Sequence, residues 1–545
     1  MIDPSGLQAV QEICGYVHMG HSNVRQMMSG KWCQTPNFLH GYGGDDMPFK
    51  LPDREELRRV AAELGRPLDT AAAEALLEFM QPFQQGFQYL EQEPPDLPAV
   101  RYPKRSYHFP EPDENPLGAW YVKTEIPGAA SGPLHGKRVA VKDNMFVADT
   151  PMMYGAAFLE GLRPEFDSSV VTRMLDAGAT IAGKTVCEYL CMHGGSTTAS
   201  TGFVRNPHNP EYSAGGSSSG SAALVVAGEI DMALGTDQAG SVRIPASWSG
   251  AVGMKATHGL VPYTGVAGLE ATMDHVGPIT TTVADNALLL EVLAGGDDLD
   301  HVGRQPIVQS YTRCLDEPVT GMKIGVLREG FEHPHSSSVV NECVRAAAAR
   351  FTELGAEVSE ISIPMHFPGI AIWSGLIMEP AWHALQTGGV QFNADAVYSP
   401  AFVDAMQDWQ SRAEHVPVNL LMVMLFGRYM ERFGGQYYAR ARNLLPRLRR
   451  AYDQVLETCD LLLLPTTITQ ASQLPASPEE LTDEHIVTDL FATSVNTCQF
   501  DATGHPALSM PCGMPGGLPV GMMLVAKPFD EPAIYRAAFA FEQEG

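Results

Sequence analysis

Residues 213–247 read SAGGSSSGSAALVVAGEIDMALGTDQAGSVRIPAS, and no other stretch restricts the chain as strongly. Two clusters of glycine and serine, Gly215–Gly220 and Gly235–Ser241, bracket an apolar run from Ala222 to Gly228 of the kind that builds a buried helix. A flexible Gly/Ser linker is low in complexity and lacks apolar neighbours. Here hydrophobic segments hem in both clusters, so they read as tight turns pinned against a core. Turns of that kind bring backbone N–H groups and hydroxyls close to a small molecule.

The chain of 545 residues is long enough for a large core, and length alone allows roughly three or four domains. Its 45% hydrophobic and 18% charged residues place it among ordinary globular proteins. A net charge of −27, from 36 basic and 63 acidic residues, argues against a nucleic-acid backbone or an anionic membrane as partner. Nine scattered cysteines do not resemble a disulfide framework and suit a reducing compartment. The opening MIDPSGLQAVQEICG has neither a basic n-region nor an apolar h-region. The longest apolar runs, such as Asn419–Gly427, fall far short of the ~18 residues of a membrane span. The expectation is a soluble, cytoplasmic protein. Cys14, His18, His21 and Cys33 follow the spacing C-x3-H-x2-H-x11-C, which fits no zinc pattern of known mechanism. Local packing is the preferred reading, and no metal is expected.

Along the chain, Asp53 caps a helix that ends at Gly65, and Asp69 or Thr70 caps a second helix, interrupted or kinked near Pro82. These form a small α-helical domain over 1–93. A connector over 94–116 carries Pro94, Pro95, Pro98, Pro103, Pro110, Pro112 and Pro116 and reads as extended. Strands and helices then alternate. Arg138–Lys142 is a strand, Ser168–Ala177 a helix and Ala179–Gly183 a strand; Cys459–Pro465 and Val520–Val525 are later strands. That rhythm predicts an α/β layer structure around a mixed sheet. Residues 364–450 break it with a helical segment rich in Met, Phe, Trp and Tyr, suited to wall a pocket or, for any single residue, simply to fill core.

Gly178–Thr185, GATIAGKT, matches the phosphate-loop pattern literally. That loop requires a strand before the first glycine and a helix after the lysine. Here a helix comes first and ATIAG is strand-like, so nucleotide binding is rejected. Ser241, among the small residues Gln238-Ala239-Gly240, permits close approach of a carbonyl, and nearby amides can face a developing oxyanion. A serine nucleophile needs a base, yet 213–247 holds no histidine and no G-x-S-x-G elbow. Lys142, ending an apolar strand, is the better base, with Ser217 as a relay between Lys142 and Ser241. Taken singly, each serine is far more commonly structural.

GKRVAVKDN, GGSSSGSAA and GTDQAGSVRIPAS, in that order, resemble the amidase signature family. The resemblance continues through SGAVGMKATHGLVP, DHVGPITTTVADNALLLEVLAG, TGHPALSMPCG and GLPVGMMLVAKPFDE and spans about residues 117–545. It implies a large mixed β-sheet covered by helices on both faces, with 117–545 as the catalytic domain. It also implies Ser241 as nucleophile, Ser217 (after a cis peptide bond) as bridging serine and Lys142 as base. The oxyanion amides fall on Gln238, Ala239, Gly240 and Ser241. Two positions depart from the family: Ala239 and Ser219 stand where glycine is common. A methyl at 239 is tolerable at negative φ and costs about 1 kcal/mol at positive φ. Asp237 and Arg243 are expected to pair structurally, and Ser218 to hydrogen-bond around Ser217. His193, His258 and His505 are expected to satisfy local backbone, and Cys187 and Cys191 to serve as packing or pocket wall.

The N-terminal helices plus connector resemble amidases of bacterial nitrile-degradation pathways. That resemblance implies release of ammonia from primary amides, often enantioselectively, by a homodimer without cofactors acting on a small-molecule amide. Two alternatives stay open within the chemistry: hydrolysis of another acyl–nitrogen bond (anilide, carbamate, hydrazide or urea derivative), and the A-type component of an amidotransferase. The rival outside it is a non-catalytic scaffold.

Overall fold

Aspartates open the first two helices of the computed structural model, which describes residues 49–300, 305–392, 394 and 396–544. The Asp53 carboxylate accepts the Glu56 N–H at 2.8 Å at the start of α1 (Arg54–Glu63), and Asp69 accepts the Ala72 N–H at 2.8 Å ahead of α2 (Thr70–Gln92). Each satisfies a donor that the first helical turn leaves open. The helix α2 continues through Pro82, where the sequence suggests an interruption or kink. The carbonyl left without a helical donor there belongs to Glu78, on an exposed stretch. These helices belong to the first of two units, Met1–Pro94 and Pro95–Gly545. Cys14, His18, His21 and Cys33 lie outside the described residues.

The second unit is built on a mixed sheet of twelve strands. In chain order these are β1 (Tyr107–His108), β2 (Trp120–Pro127), β3 (Arg138–Lys142), β4 (Thr180–Thr185), β5 (Met232–Asp237), β6 (Val252–Lys255), β7 (His275–Thr280), β8 (Lys323–Leu327), β9 (Glu357–Ile361), β10 (Leu461–Pro465), β11 (Ala507–Gly513) and β12 (Val520–Val525). Their spatial order is β1-β2-β4-β3-β5-β7-β6-β11-β12-β10-β8-β9. Strand β3 runs parallel to β4 and β5, and β8 parallel to β9 and β10. The period of two along a strand explains how both faces are covered. Val139, Val141, Ile181 and Leu234 join one apolar cluster with Val170, Val171 and Met174 of α3 (Ser169–Asp176). The intervening Ala140, Ala182 and Ala233 join another with Ala222, Leu224 and Val225 of α4 (Ser219–Val226). Small residues on that second face let α4 approach closely.

Strands β2, β6 and β7 and the helix at 243–249 are among the elements not evident from the sequence, for local reasons. Strand β2 is bulged twice against β4, which blurs its alternation. Strand β6 has four residues, and β7 contains Pro278. Helix α5 (Arg243–Ser249) contains Pro245 in its first turn, where a missing N–H breaks no helical bond. Further helices are α6 (Val283–Leu293), α7 (Ser338–Glu353), α8 (His366–Gln386), α9 (Pro400–Met406), α10 (Val418–Met430), α11 (Gln436–Leu456), α12 (Asp483–Thr493), α13 (Cys498–Thr503) and α14 (Glu531–Gln543). Among the described residues no helix is long and apolar enough to cross a membrane.

His366, at the head of α8, is fully buried between Tyr452 and Asn496. The Asn496 amide nitrogen donates to the Gly330 and Pro465 carbonyls, which turns its oxygen toward His366. A neutral ring satisfies both contacts: Nε2–H donates to Asn496 Oδ1 at 3.2 Å and Nδ1 accepts from Tyr452 O–H at 2.8 Å. Burial pushes the ring down to about 4. The folded pKa lies below the unfolded one, so the unfolded chain binds the extra proton. Stability is therefore lost as pH falls from about 6.5 toward 4, by about 2 kcal/mol from this ring between pH 7 and 5. Urea unfolding at the two pH values should show that loss, and His366→Gln should lower the pH slope by about one proton. An unchanged slope in the variant would assign the acid sensitivity to other groups.

Candidate active site

Parallel pairing of β3 with β5, with Val141 opposite Leu234, sets the carboxyl ends of the two strands side by side. Ligand sites of α/β sheets lie beyond such ends. Strand β3 ends in Lys142, whose side chain is fully buried. Its Nζ donates to Ser217 Oγ at 2.7 Å and to Thr236 Oγ1 at 2.9 Å. Asn144 Nδ2 donates to the same Thr236 hydroxyl at 3.2 Å and to the Ala267 carbonyl at 2.9 Å. Ser217 stands two residues ahead of α4, after a cis Gly216–Ser217 peptide. Ser218 Oγ accepts the Thr236 N–H and donates to the Thr236 carbonyl, both at 3.3 Å, and so pins the start of α4 to β5. The Ser218 N–H donates to the Ser241 carbonyl at 3.2 Å. Lys142, Ser217 and Ser241, 99 residues apart at the extremes (142 to 241), are thus gathered in one place.

The turn after β5 is held by a buried charge network. Arg243 donates from Nε to Asp237 Oδ2 at 2.9 Å, and its two remaining nitrogens reach Asp237, Asp501 and the Thr497 carbonyl. All three side chains are fully buried. Burial pushes the Asp237 carboxyl up, but the Arg243 guanidinium outweighs it and holds the group far below the usual carboxylate range. Burial together with the neighbouring Asp237 charge pushes Asp501 well above that range. The expected Asp237–Arg243 pair is present, with Asp501 as an unforeseen third member.

One expectation about the turn needs correction. The sequence places Gly240 among four amides facing an oxyanion, but its N–H donates to Asp237 Oδ1 at 2.5 Å. The Asp237 carboxylate also accepts from the Val242 N–H, capping the entry to α5, and it captures Gly240 on the way. Among the described residues, the N–H groups of Gln238, Ala239 and Ser241 have no protein acceptor. Gly240 itself sits at φ +128°, and a Cβ there would run into Thr497 and Ile244. Ala239 is outside the positive-φ region, so its methyl carries no backbone strain. Ser219 opens α4 with its hydroxyl donating to the Val186 carbonyl at 3.3 Å.

The phosphate-loop look-alike is strand β4 following helix α3, and its Lys184 pairs with buried Asp143 at 2.8 Å. Asp143 in turn accepts the Met153 and Tyr154 N–H groups at 2.9 Å, which fixes the chain leaving Lys142. His193 bonds the Ile486 carbonyl and the Gly195 N–H, and His258 bonds the Ala271 carbonyl. His505 departs from the expected backbone role and bonds the Thr503 and Asp453 side chains. Cys191 is nearer the centre than its sequence suggests. Burial pushes its thiol up, but the neighbouring Cys187, Lys142 and Ser217 side chains draw it down to about 7.

A cavity of about 80 Å3 is lined by Val261, Tyr263, Asp274, Gln391 and Phe402, among others. Tyr263 connects it to the turn, accepting from Gln238 Nε2 at 3.1 Å. A narrower apolar cavity is lined by Tyr154, Leu190, Met192, Ala384, Leu385 and Met406; both touch Gly268, Gly389 and Phe402. Helices α8 and α9 and the loop between them therefore supply walls. Sequence reasoning missed Thr236, Asn144, Trp373 and Thr497. The first two had a readable signal, since Thr236 lies on β5 beside the end of β3 and Asn144 follows Lys142 by two residues. Trp373 Nε1 donates to the Gln238 carbonyl at 2.8 Å, and Thr497 Oγ1 donates to the Ala239 carbonyl. Neither has a signal in its own neighbourhood.

The family described as Amidase matches residues 112–534. An enantioselective amidase from Rhodococcus rhodochrous is 41% identical over 480 residues, covering 86% of this chain and 90% of that protein. The A-subunit of glutamyl-tRNA(Gln) amidotransferase from Methanosarcina acetivorans is 37% identical over 419 residues, covering 76% of this chain and 85% of the relative. Among solved structures, the native peptide amidase from Stenotrophomonas maltophilia superposes with a TM-score of 0.64 at 28% identity, covering 76% of this chain and 83% of that one. With buried Lys142 bonded to Ser217, Ser241 against the same segment, and a matching relative along most of its length, the chain belongs to the amidase family.

Proposed function

We propose that this protein hydrolyses primary carboxylic amides bearing apolar acyl groups to the carboxylic acid and ammonia, through an acyl-enzyme on Ser241. The observation that carries this reading is the 2.7 Å contact of buried Lys142 Nζ with Ser217 Oγ, beside Ser241. Lys142 takes a proton from Ser217 as Ser217 takes the Ser241 hydroxyl proton, and Ser241 Oγ attacks the amide carbon. The N–H groups of Gln238, Ala239 and Ser241 stabilise the resulting oxyanion. The proton returns through Ser217 to the amide nitrogen, the C–N bond breaks, and ammonia leaves. Water then attacks the ester by the same route and frees the acid and Ser241. The apolar lining by Leu190, Met192, Leu385 and Met406 supports an aliphatic or aromatic acyl group. Enantioselectivity is supported by the relative of that description at 41% identity.

The test is ammonia release from a panel of aliphatic and aromatic primary amides, carbamates and anilides, with Ser241→Ala as control. Ammonia from primary amides, abolished in the variant, is the expected result. Turnover confined to carbamates or anilides would keep the serine chemistry and overturn the substrate class. Turnover unaffected by Ser241→Ala would overturn the mechanism.

A further inference from the structure

Trp373 lies on α8, outside the segments that carry Lys142, Ser217 and Ser241, yet its indole N–H grips the Gln238 carbonyl at 2.8 Å. A trans peptide points its C=O and the following N–H in opposite directions. Holding the Gln238 oxygen therefore fixes the direction of the Ala239 N–H, an amide without a protein acceptor among the described residues. The next peptide is held independently, with the Ala239 carbonyl bonded by Thr497 Oγ1 and the Gly240 N–H bonded by Asp237. Gln238 is tied at its other end as well, its side chain to Tyr263 at 3.1 Å. Every group named here that orients this turn, except Trp373, comes from the sheet, the segments bordering it or the 494–503 region. Helix α8 also supplies Ala381, Ala384 and Leu385 to the apolar cavity, two to three turns beyond Trp373.

We propose that Trp373 is a positioning residue for the oxyanion cradle, aiming the Ala239 N–H through its hydrogen bond to the Gln238 carbonyl. This rests on the reading of Gln238, Ala239 and Ser241 as oxyanion donors. A preorganised donor acts on the charge that develops in the transition state, with little effect on the uncharged substrate. Loss of the indole N–H should therefore lower kcat and leave KM nearly unchanged. Removing an oxyanion donor outright costs about 10²–10³ in kcat, so releasing its orientation should cost about tenfold to a hundredfold.

The experiment compares wild type with Trp373→Phe, and with a protein carrying benzothienylalanine at 373, which keeps the bicyclic ring and removes only the N–H. Each is assayed for kcat and KM on a primary amide turned over by the wild type. Each is also assayed for inhibition by benzeneboronic acid, whose anionic tetrahedral adduct on serine needs the cradle, and by sodium benzoate, which forms none. The expected result is a loss in kcat and an equal rise in the boronate inhibition constant, with KM and benzoate inhibition within about twofold. Should Trp373→Phe fail to fold, the benzothienylalanine protein decides alone. Wild-type kcat and boronate affinity in that protein would overturn the proposal. So would a loss confined to KM, which would make Trp373 a pocket wall. A Ser241→Ala control that retains turnover would instead remove the acyl-enzyme reading beneath it.

Discussion

Ser241→Ala, Lys142→Ala and the double variant are expected to lose the same factor in kcat, about 10⁶, because the two residues act as one unit. In the proposed relay the proton on Ser241 leaves through Ser217 to Lys142, whose Nζ lies 2.7 Å from the Ser217 hydroxyl. Without Lys142 the relay has nowhere to deliver the proton, and without Ser241 it has none to collect. Independent contributions would multiply; members of one chain do not. The three orphan amides of the 238–241 turn stay in place in every variant and should leave a residual rate about 10³-fold above water. Ammonia release measured with excess substrate reads this directly, beside thermal melts showing that each variant is folded. A double variant much slower than either single one would separate the two residues, and a Lys142→Ala protein with a tenth of wild-type activity would put the base elsewhere.

Arg243→Leu is expected to cost about 3–5 kcal/mol of stability, enough to deplete soluble protein, because it strips the counter-charge from two buried carboxylates. Asp237 and Asp501 are fully buried and face the same guanidinium, at 2.9 Å and 2.7 Å. Leucine leaves two acids side by side in a dry interior, where a charge on one opposes a charge on the other. Both would then hold protons more tightly folded than unfolded, so the loss deepens as pH rises above the ordinary carboxylate range. Asp501→Asn should be far milder, about 1 kcal/mol, since burial and Asp237 already favour the neutral form of Asp501. Urea midpoints at pH 5 and 7.5 distinguish these outcomes. Equal effects of Arg243→Leu and Asp501→Asn would mean that the network contributes packing rather than charge balance.

What could be read in the chain follows from how far each interaction reaches. Strands β3, β10 and β12 announce themselves as unbroken apolar runs, and Asp53 and Asp69 as caps before amphipathic helices. Lys142, Ser217 and Ser241 stand in local motifs whose order is itself a signature. Trp373 meets Gln238 across 135 residues, and Asp501 meets Arg243 across 258. Nothing near Trp373 or Asp501 hints at the partner, because only the packing of helices onto distant segments brings them together. Gly240 shows the subtler failure. The motif names it as an amide near the nucleophile, but whether its N–H faces a substrate or Asp237 depends on a capping bond that the motif does not specify.

The indole bond from α8 has a consequence for how such enzymes diversify. A helical segment that walls a cavity invites exchange between relatives as a self-contained module. Here the same segment reaches back with Trp373 to the turn beside the nucleophile. A graft that alters the pocket while omitting a donor at this position would change what is accepted and also slow its conversion. Under the proposed function, point changes at Leu385 or Met406, which line the apolar cavity, leave the Trp373 bond to Gln238 in place, whereas a transplanted segment without that donor loses it.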